Sequence, residues 1–199
     1  MPREPARFVS RGGEKLDAAL DAFGLDVRGM VCADFGCNVG GFTDCLLSRG
    51  ASKVYAVDTG YGGLAWRLRR DPRVVVMERA NALYAEAPHP VDFVAVDVAW
   101  TPQKLVVPAA MRWLKKPDDA SGGGWIVSLL KPHYELAKIR GRKPRSALSV
   151  AQAGAVCLEV CRRLAEIGCP VCCVAPSALL GKGGNREFFL LLASREISG

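Results

Sequence analysis

Apolar residues recur along this chain in short runs closed by a charged or polar residue, and the stretches between those runs repeat their apolar positions at helical spacing. Leu16, Ala19, Leu20 and Phe23 share one side of a helix predicted over residues 14–23. A strand over 31–36 enters a glycine-rich turn at 37–41, and a helix over 42–49 follows, stopped by Gly50. The alternation continues with strand 53–57 ending in Asp58, helix 62–70, strands 73–77 and 91–96, helix 103–115 and strand 125–130. A basic loop after Lys131, a long helix over 146–167 and strands 171–174 and 188–192 complete the pattern. Strands alternating with helices predict an α/β fold, a doubly wound and mostly parallel sheet, in one domain over 1–199. The connection 176–185 has no room for a crossover helix, so the last strand is expected to run antiparallel.

That reversal gathers the charges that close the runs. Asp97 ends one strand, Lys131 ends another, and Glu187 begins the antiparallel one, so all three reach the edge where ligands bind in open α/β sheets. Lys15 heads the first amphipathic helix. A lone charge at the end of a buried strand is costly unless paired or used, and two lysines with two carboxylates neutralise one another.

The turn after the first strand is Gly36-x-x-x-Gly40-Gly41, unlike the G-x-G-x-x-G of dinucleotide sites. Asp34, just before it, would repel phosphate but suits an ammonium group. Asp58 is placed to accept from both hydroxyls of a ribose, and Asn81 to read an adenine edge. An adenosine carrying an amino acid fits such a pocket, which makes S-adenosyl-L-methionine the expected cofactor, bound by Asp34, Gly36, Gly40, Gly41, Phe42, Asp58, Asn81 and Asp97.

Charge adds a partner. The net charge of +7 is concentrated in part in Lys138, Arg140, Arg142, Lys143 and Arg145, a tract without an acid that is read as an RNA-phosphate contact. No apolar run is long enough to span a membrane and no signal core opens the chain, so a cytoplasmic protein with thiol cysteines is expected. The eight cysteines meet neither a zinc nor an iron–sulfur spacing, so no metal is assigned, and Cys172 and Cys173 are read as small core residues. Trp66 and Trp100 are read as core or rim packing, and His133 as incidental.

The chain resembles the ribosomal-RNA 2′-O-methyltransferases of the FtsJ-like superfamily, and among them the TlyA (hemolysin A) family. The matching stretches include Phe8–Val9–Ser10–Arg11–Gly12–Gly13–Glu14–Lys15–Leu16, Gly40–Gly41–Phe42–Thr43–Asp44, Val57–Asp58–Thr59–Gly60–Tyr61–Gly62, Leu130–Lys131–Pro132 and Gly184–Asn185–Arg186–Glu187–Phe188. The resemblance implies a class I, Rossmann-like methyltransferase fold and a Lys-Asp-Lys-Glu catalytic tetrad, here Lys15, Asp97, Lys131 and Glu187. Lys131 would activate a ribose hydroxyl, helped by the nearby positive charge of Lys15, with Asp97 orienting Lys131 and Glu187 holding Lys15. Relatives also begin with an S4 RNA-binding domain, for which there is no room before Phe8, and carry a glycine- and valine-rich loop where this chain has its basic tract. A partner replacing that domain is therefore one expectation. Two other functions fit the same fold: a non-catalytic RNA-binding or ribosome-assembly factor, and an O-methyltransferase for a small molecule.

Overall fold

A computed structural model describes residues 6–116, 123–141, 144 and 146–194. Among these, strands β1 (Val31–Phe35), β2 (Lys53–Asp58), β3 (Val74–Glu78), β4 (Phe93–Val96), β5 (Trp125–Leu130), β6 (Cys173–Pro176) and β7 (Phe188–Ala193) form one sheet in the order β3-β2-β1-β4-β5-β7-β6. The first five strands pair in parallel, while β7 runs antiparallel to both β5 and β6. Helices α1 (Arg11–Phe23), α2 (Gly41–Ser48), α3 (Trp66–Arg69), α4 (Gln103–Met111), α5 (Pro132–Arg140) and α6 (Val150–Glu166) connect and cover them. None of the described helices is long and apolar enough to cross a membrane.

Period-2 alternation along the strands sorts the side chains into two cores. Phe93, Ala95, Val127, Leu129, Phe189 and Leu191 pack on one face with Leu16 and Leu20 of α1 and Phe42 and Leu46 of α2. Val94, Val96, Ile126, Leu130, Leu190 and Leu192 pack on the other with Val106 and Val107 of α4 and Val156 and Val160 of α6. Continuing the same alternation past the strand ends puts Asp97, Lys131 and Glu187 on the α1 side. Lys15, one helical turn before Ala19, is therefore delivered to them by the helix that lines that face.

Several boundaries differ from the sequence reading, for local reasons. The basic segment after Lys131 begins as a helix, α5, because Pro132 occupies its first position and Leu136 packs on the α4/α6 core. The run of cations hides that amphipathicity. Helix α3 is restricted to four residues, since Gly62 in the left-handed region (φ 74°) breaks the turn ahead of it. Helix α4 stops at Met111 because the following backbone is drawn to Val91, which donates to Trp113 O at 2.8 Å. Helix α6 starts at Val150, where Ser149 and Gln152 form a capping box. Cys172 and Cys173 are exposed rather than in the core, because β6 is the outermost strand of the sheet.

Candidate active site

A cavity of about 750 Å³ opens at the carboxyl ends of the parallel strands. Its wall includes Lys15, Asp34, Asp58, Asn81, Asp97 and Lys131. The tetrad residues form two ion pairs. Lys15 Nζ donates to Glu187 Oε2 at 2.5 Å, with side chains 12% and 4% exposed. Lys131 Nζ donates to Asp97 Oδ1, with side chains 15% and 28% exposed. Glu187 is pinned from behind by Gly181, where a Cβ would lie 2.1 Å from Glu187 Oε1. A larger residue at Gly181 would displace that carboxylate.

Asp34 is fully buried and serves two ends at once. Its Oδ2 accepts from the backbone N (2.8 Å) and the hydroxyl (2.7 Å) of Thr43, capping the first turn of α2. Its Oδ1 is buried without a hydrogen-bond partner among the described residues, although the residue lines the cavity. Burial is the main reason that its carboxyl is pushed up to about 7; the Thr43 hydrogen bonds oppose this, and the charges of Asp97 and Asp58 add to it. An ammonium group would satisfy both the missing bond and the missing charge.

Asp58 Oδ2 accepts from Asn38 N at 2.9 Å and Oδ1 from Gly60 N at 2.7 Å, so both carboxylate oxygens are held in place, each with acceptor capacity to spare. Asn81 also lines the cavity, with its Oδ1 occupied by the backbone N of Leu83 at 3.0 Å. The glycines do different work from one another. Gly36 (φ 85°) lets β1 close on β4, since a Cβ there would lie 2.6 Å from the carbonyl oxygen of Asp97. Gly40, contrary to expectation, is absent from the cavity wall; it is needed because a Cβ would strike Leu68 at 2.3 Å. Gly41 and Phe42 do line the cavity, and Phe42 also packs beside Phe189.

Of the basic tract, Lys138 and Arg140 fall on α5, while Arg142, Lys143 and Arg145 lie outside the described residues. Trp66 and Trp100 are not core residues, being 71% and 55% exposed. Trp100 lies on the cavity wall and its ring is 4.8 Å from that of Tyr134. Three described non-glycine residues have positive φ, and two of them, Asn38 and Trp100, line the cavity, which is where backbone strain tends to be kept. The sequence reading passed over Thr43, Arg11 and the Leu180–Lys182 segment. Thr43 had a signal in its place three residues past Gly40, but the Leu180 segment reads only as a turn. No group of three or more His, Cys, Asp or Glu among the described residues is placed to hold a metal ion.

Comparison with known proteins bears on this geometry. The chain is 43% identical over 192 residues to the 16S/23S rRNA (cytidine-2′-O)-methyltransferase TlyA of Mycobacterium tuberculosis, covering 94% of this chain and 69% of that protein. It is 34% identical to a solved Streptococcus thermophilus structure bearing the hemolysin name, with a TM-score of 0.84, covering 98% of this chain and 70% of that one. A Synechocystis magnesium protoporphyrin IX methyltransferase solved with S-adenosylmethionine bound shares the fold at 15% identity and a TM-score of 0.58, over 92% and 78% of the two chains. The sheet order and the reversed β7 are those of class I methyltransferases. The family model of the FtsJ-like methyltransferases matches residues 8–194, from the first core residue, Phe8, to just past the end of β7, and the chain belongs to that family.

Proposed function

We propose that the chain transfers a methyl group from S-adenosylmethionine to a ribose 2′-hydroxyl of ribosomal RNA. The observation that carries this reading is a lysine–carboxylate pair, Lys131–Asp97, on the wall of a cavity also lined by Asp34, whose Oδ1 is buried without a hydrogen-bond partner among the described residues. The name of the Mycobacterium tuberculosis relative supports the choice of ribosomal RNA and of the 2′-oxygen. Asp34 would hold the amino group of the cofactor, Asp58 its ribose, and Asn81 its base. The bound cofactor supplies an electrophilic methyl group on a sulfonium.

The rest of the chemistry belongs to the chain. Direct displacement needs an aligned oxygen nucleophile that has shed its proton. Lys131 is the group assigned to receive that proton, with Asp97 fixing the position of Nζ. The Lys15–Glu187 pair closes the other side and is neutral in itself, so the proton taken up by the Lys131 amine is balanced by the Asp97 carboxylate. Cations of the Lys138–Arg145 tract are assigned to RNA phosphates.

Mapping of 2′-O-methyl sites on ribosomal RNA from cells with and without the gene tests the function directly. Loss of at least one site is expected, and an unchanged map sinks the reading. For the cofactor, Asp58→Ala should weaken S-adenosylmethionine by roughly 1–3 kcal/mol in calorimetry, by removing two hydrogen-bond acceptors.

The pH dependence of binding follows from Asp34. Below about 7 its carboxyl is protonated and offers an ammonium no counter-charge, so affinity should fall as pH drops through that value. The limit is about tenfold per pH unit. Above roughly pH 8 an α-amino group itself begins to lose its proton. Binding should therefore be tightest between these limits. Asp34→Asn should bind more weakly and lose the acid limb; a variant with the wild-type profile would exclude Asp34 as the titrating group.

A further inference from the structure

Asp97 and Lys131 approach one another from two loops, and the pairing of their strands stops before either of them. Strands β4 and β5 pair only as far as Val96↔Ser128. Asp97 and Lys131 both lie beyond that rung. Asp97 is tied on its other side, where its backbone N donates to Phe35 O of β1 at 2.9 Å. On β5 the next carbonyl, Leu129 O, accepts from a side chain instead, Gln103 Nε2 at 3.2 Å. Gln103 stands at the start of α4, at the far end of the loop that Asp97 opens.

The same residue makes two further bonds. Its Oε1 accepts from Ser128 Oγ at 2.7 Å, and its backbone N donates to Glu135 Oε1 at 2.7 Å. Glu135 lies in the first turn of α5, where the backbone N groups of Tyr134 and Glu135 donate to Lys131 O at 2.9 and 3.3 Å. Helix α4 has no side-chain cap of its own, its N-cap being Pro102, so Glu135 satisfies its first N–H from another helix. Gln103 therefore joins the end of β5, the start of α5 and the start of α4. Lys131 sits between the two points anchored on its own segment, Leu129 and Glu135.

Ser128, Gln103 and Glu135 are all buried, and none of them is on the cavity wall. Apolar residues would fill such a place without needing partners, so a paired polar network there serves geometry more than stability. We infer that Gln103 is a positioning residue for methyl transfer: it locks the segment carrying Lys131 to the loop carrying Asp97, and so sets Nζ against Oδ1. This rests on the proposed ribose methylation, with Lys131 as the group that receives the proton. Gln103 acts through Lys131 and contacts neither cofactor nor RNA, so its loss should act on the chemical step. A misplacement of about 1 Å from a change outside the chemistry can cost about 10²-fold in rate.

Gln103→Met keeps the length of the side chain and removes its polar end, and Ser128→Ala removes the hydroxyl that would then lack an acceptor. In this double variant, kcat for methyl transfer to ribosomal subunits from cells lacking the gene should fall about tenfold or more. KM for the subunits and calorimetric affinity for S-adenosylmethionine should stay within about twofold of wild type. A second pair of variants works from the other end of the network. Glu135→Leu should lower kcat similarly, whereas Glu135→Gln, which keeps an acceptor for Gln103 N, should restore most of that rate. If the double variant does not fold, the Glu135 pair decides. A wild-type kcat in the folded double variant or in Glu135→Leu overturns the role. So does a loss of substrate and cofactor affinity alongside the fall in kcat, which a general loosening of the fold would give. Either result leaves wild-type methylation standing. If the wild type methylates no ribose at all, the proposed function fails, and the role of Gln103 fails with it.

Discussion

Lys131→Ala is expected to lower the methyl-transfer rate by about 10²- to 10⁴-fold, the span that a positioned proton-transfer group contributes. Calorimetric affinity for S-adenosylmethionine should stay nearly constant, because Asp34 and Asp58, not Lys131, are assigned to the cofactor's charged and hydroxyl groups. Lys131→Arg is the sharper test. A guanidinium keeps the charge and can still pair with Asp97, but it does not give up its proton at working pH. It should be as inactive as the alanine variant in a single-turnover assay. Activity in the arginine variant would mean that positive charge and alignment suffice, and the role of base would pass to solvent.

The second large effect concerns the other pair. Glu187→Ala leaves the Lys15 ammonium in a site where its side chain is only 12% exposed, with no partner. Removing one member of a buried ion pair costs about 3–5 kcal/mol, so a strong fall in the unfolding midpoint is expected. Replacing both residues, Lys15→Met with Glu187→Met, keeps the volume and removes both charges. That variant should recover most of the lost stability, since apolar replacements of buried pairs are often neutral. It should nevertheless remain inactive. Recovery of activity together with stability would reduce the pair to a structural bridge.

Much of this site was legible because strand ends are legible. An apolar run closed by Asp97 or Lys131 states both where the strand stops and which edge receives the charge. The reversal of β7 followed from a connection too short for a crossover, and with it the arrival of Glu187. What escaped was set by neighbours that no local pattern encodes. Cys172 and Cys173 sit in an apolar run, yet their exposure depends on β6 being last in the sheet order. Gly40 belongs to a glycine-rich turn beside the site, yet it answers to Leu64 and Leu68, more than twenty residues away in the sequence. His133, Ser146 and Asn185 form no motif in the sequence, and they line a common cavity only because α5 and the segment before β7 come together.

The Lys15–Glu187 contact joins residues 172 positions apart. As the chain leaves the ribosome, the helix bearing Lys15 emerges well before the strand headed by Glu187. Every fragment that stops short of it lacks Glu187, one of the four tetrad residues, and leaves β5 without its antiparallel neighbour. Closing so long a loop is slow relative to forming local contacts. A partly synthesised chain can shape the end of the sheet assigned to the cofactor, yet the Lys15–Glu187 pair forms only after synthesis has passed β7. On the roles proposed for the tetrad, completion of the site waits for synthesis through β7.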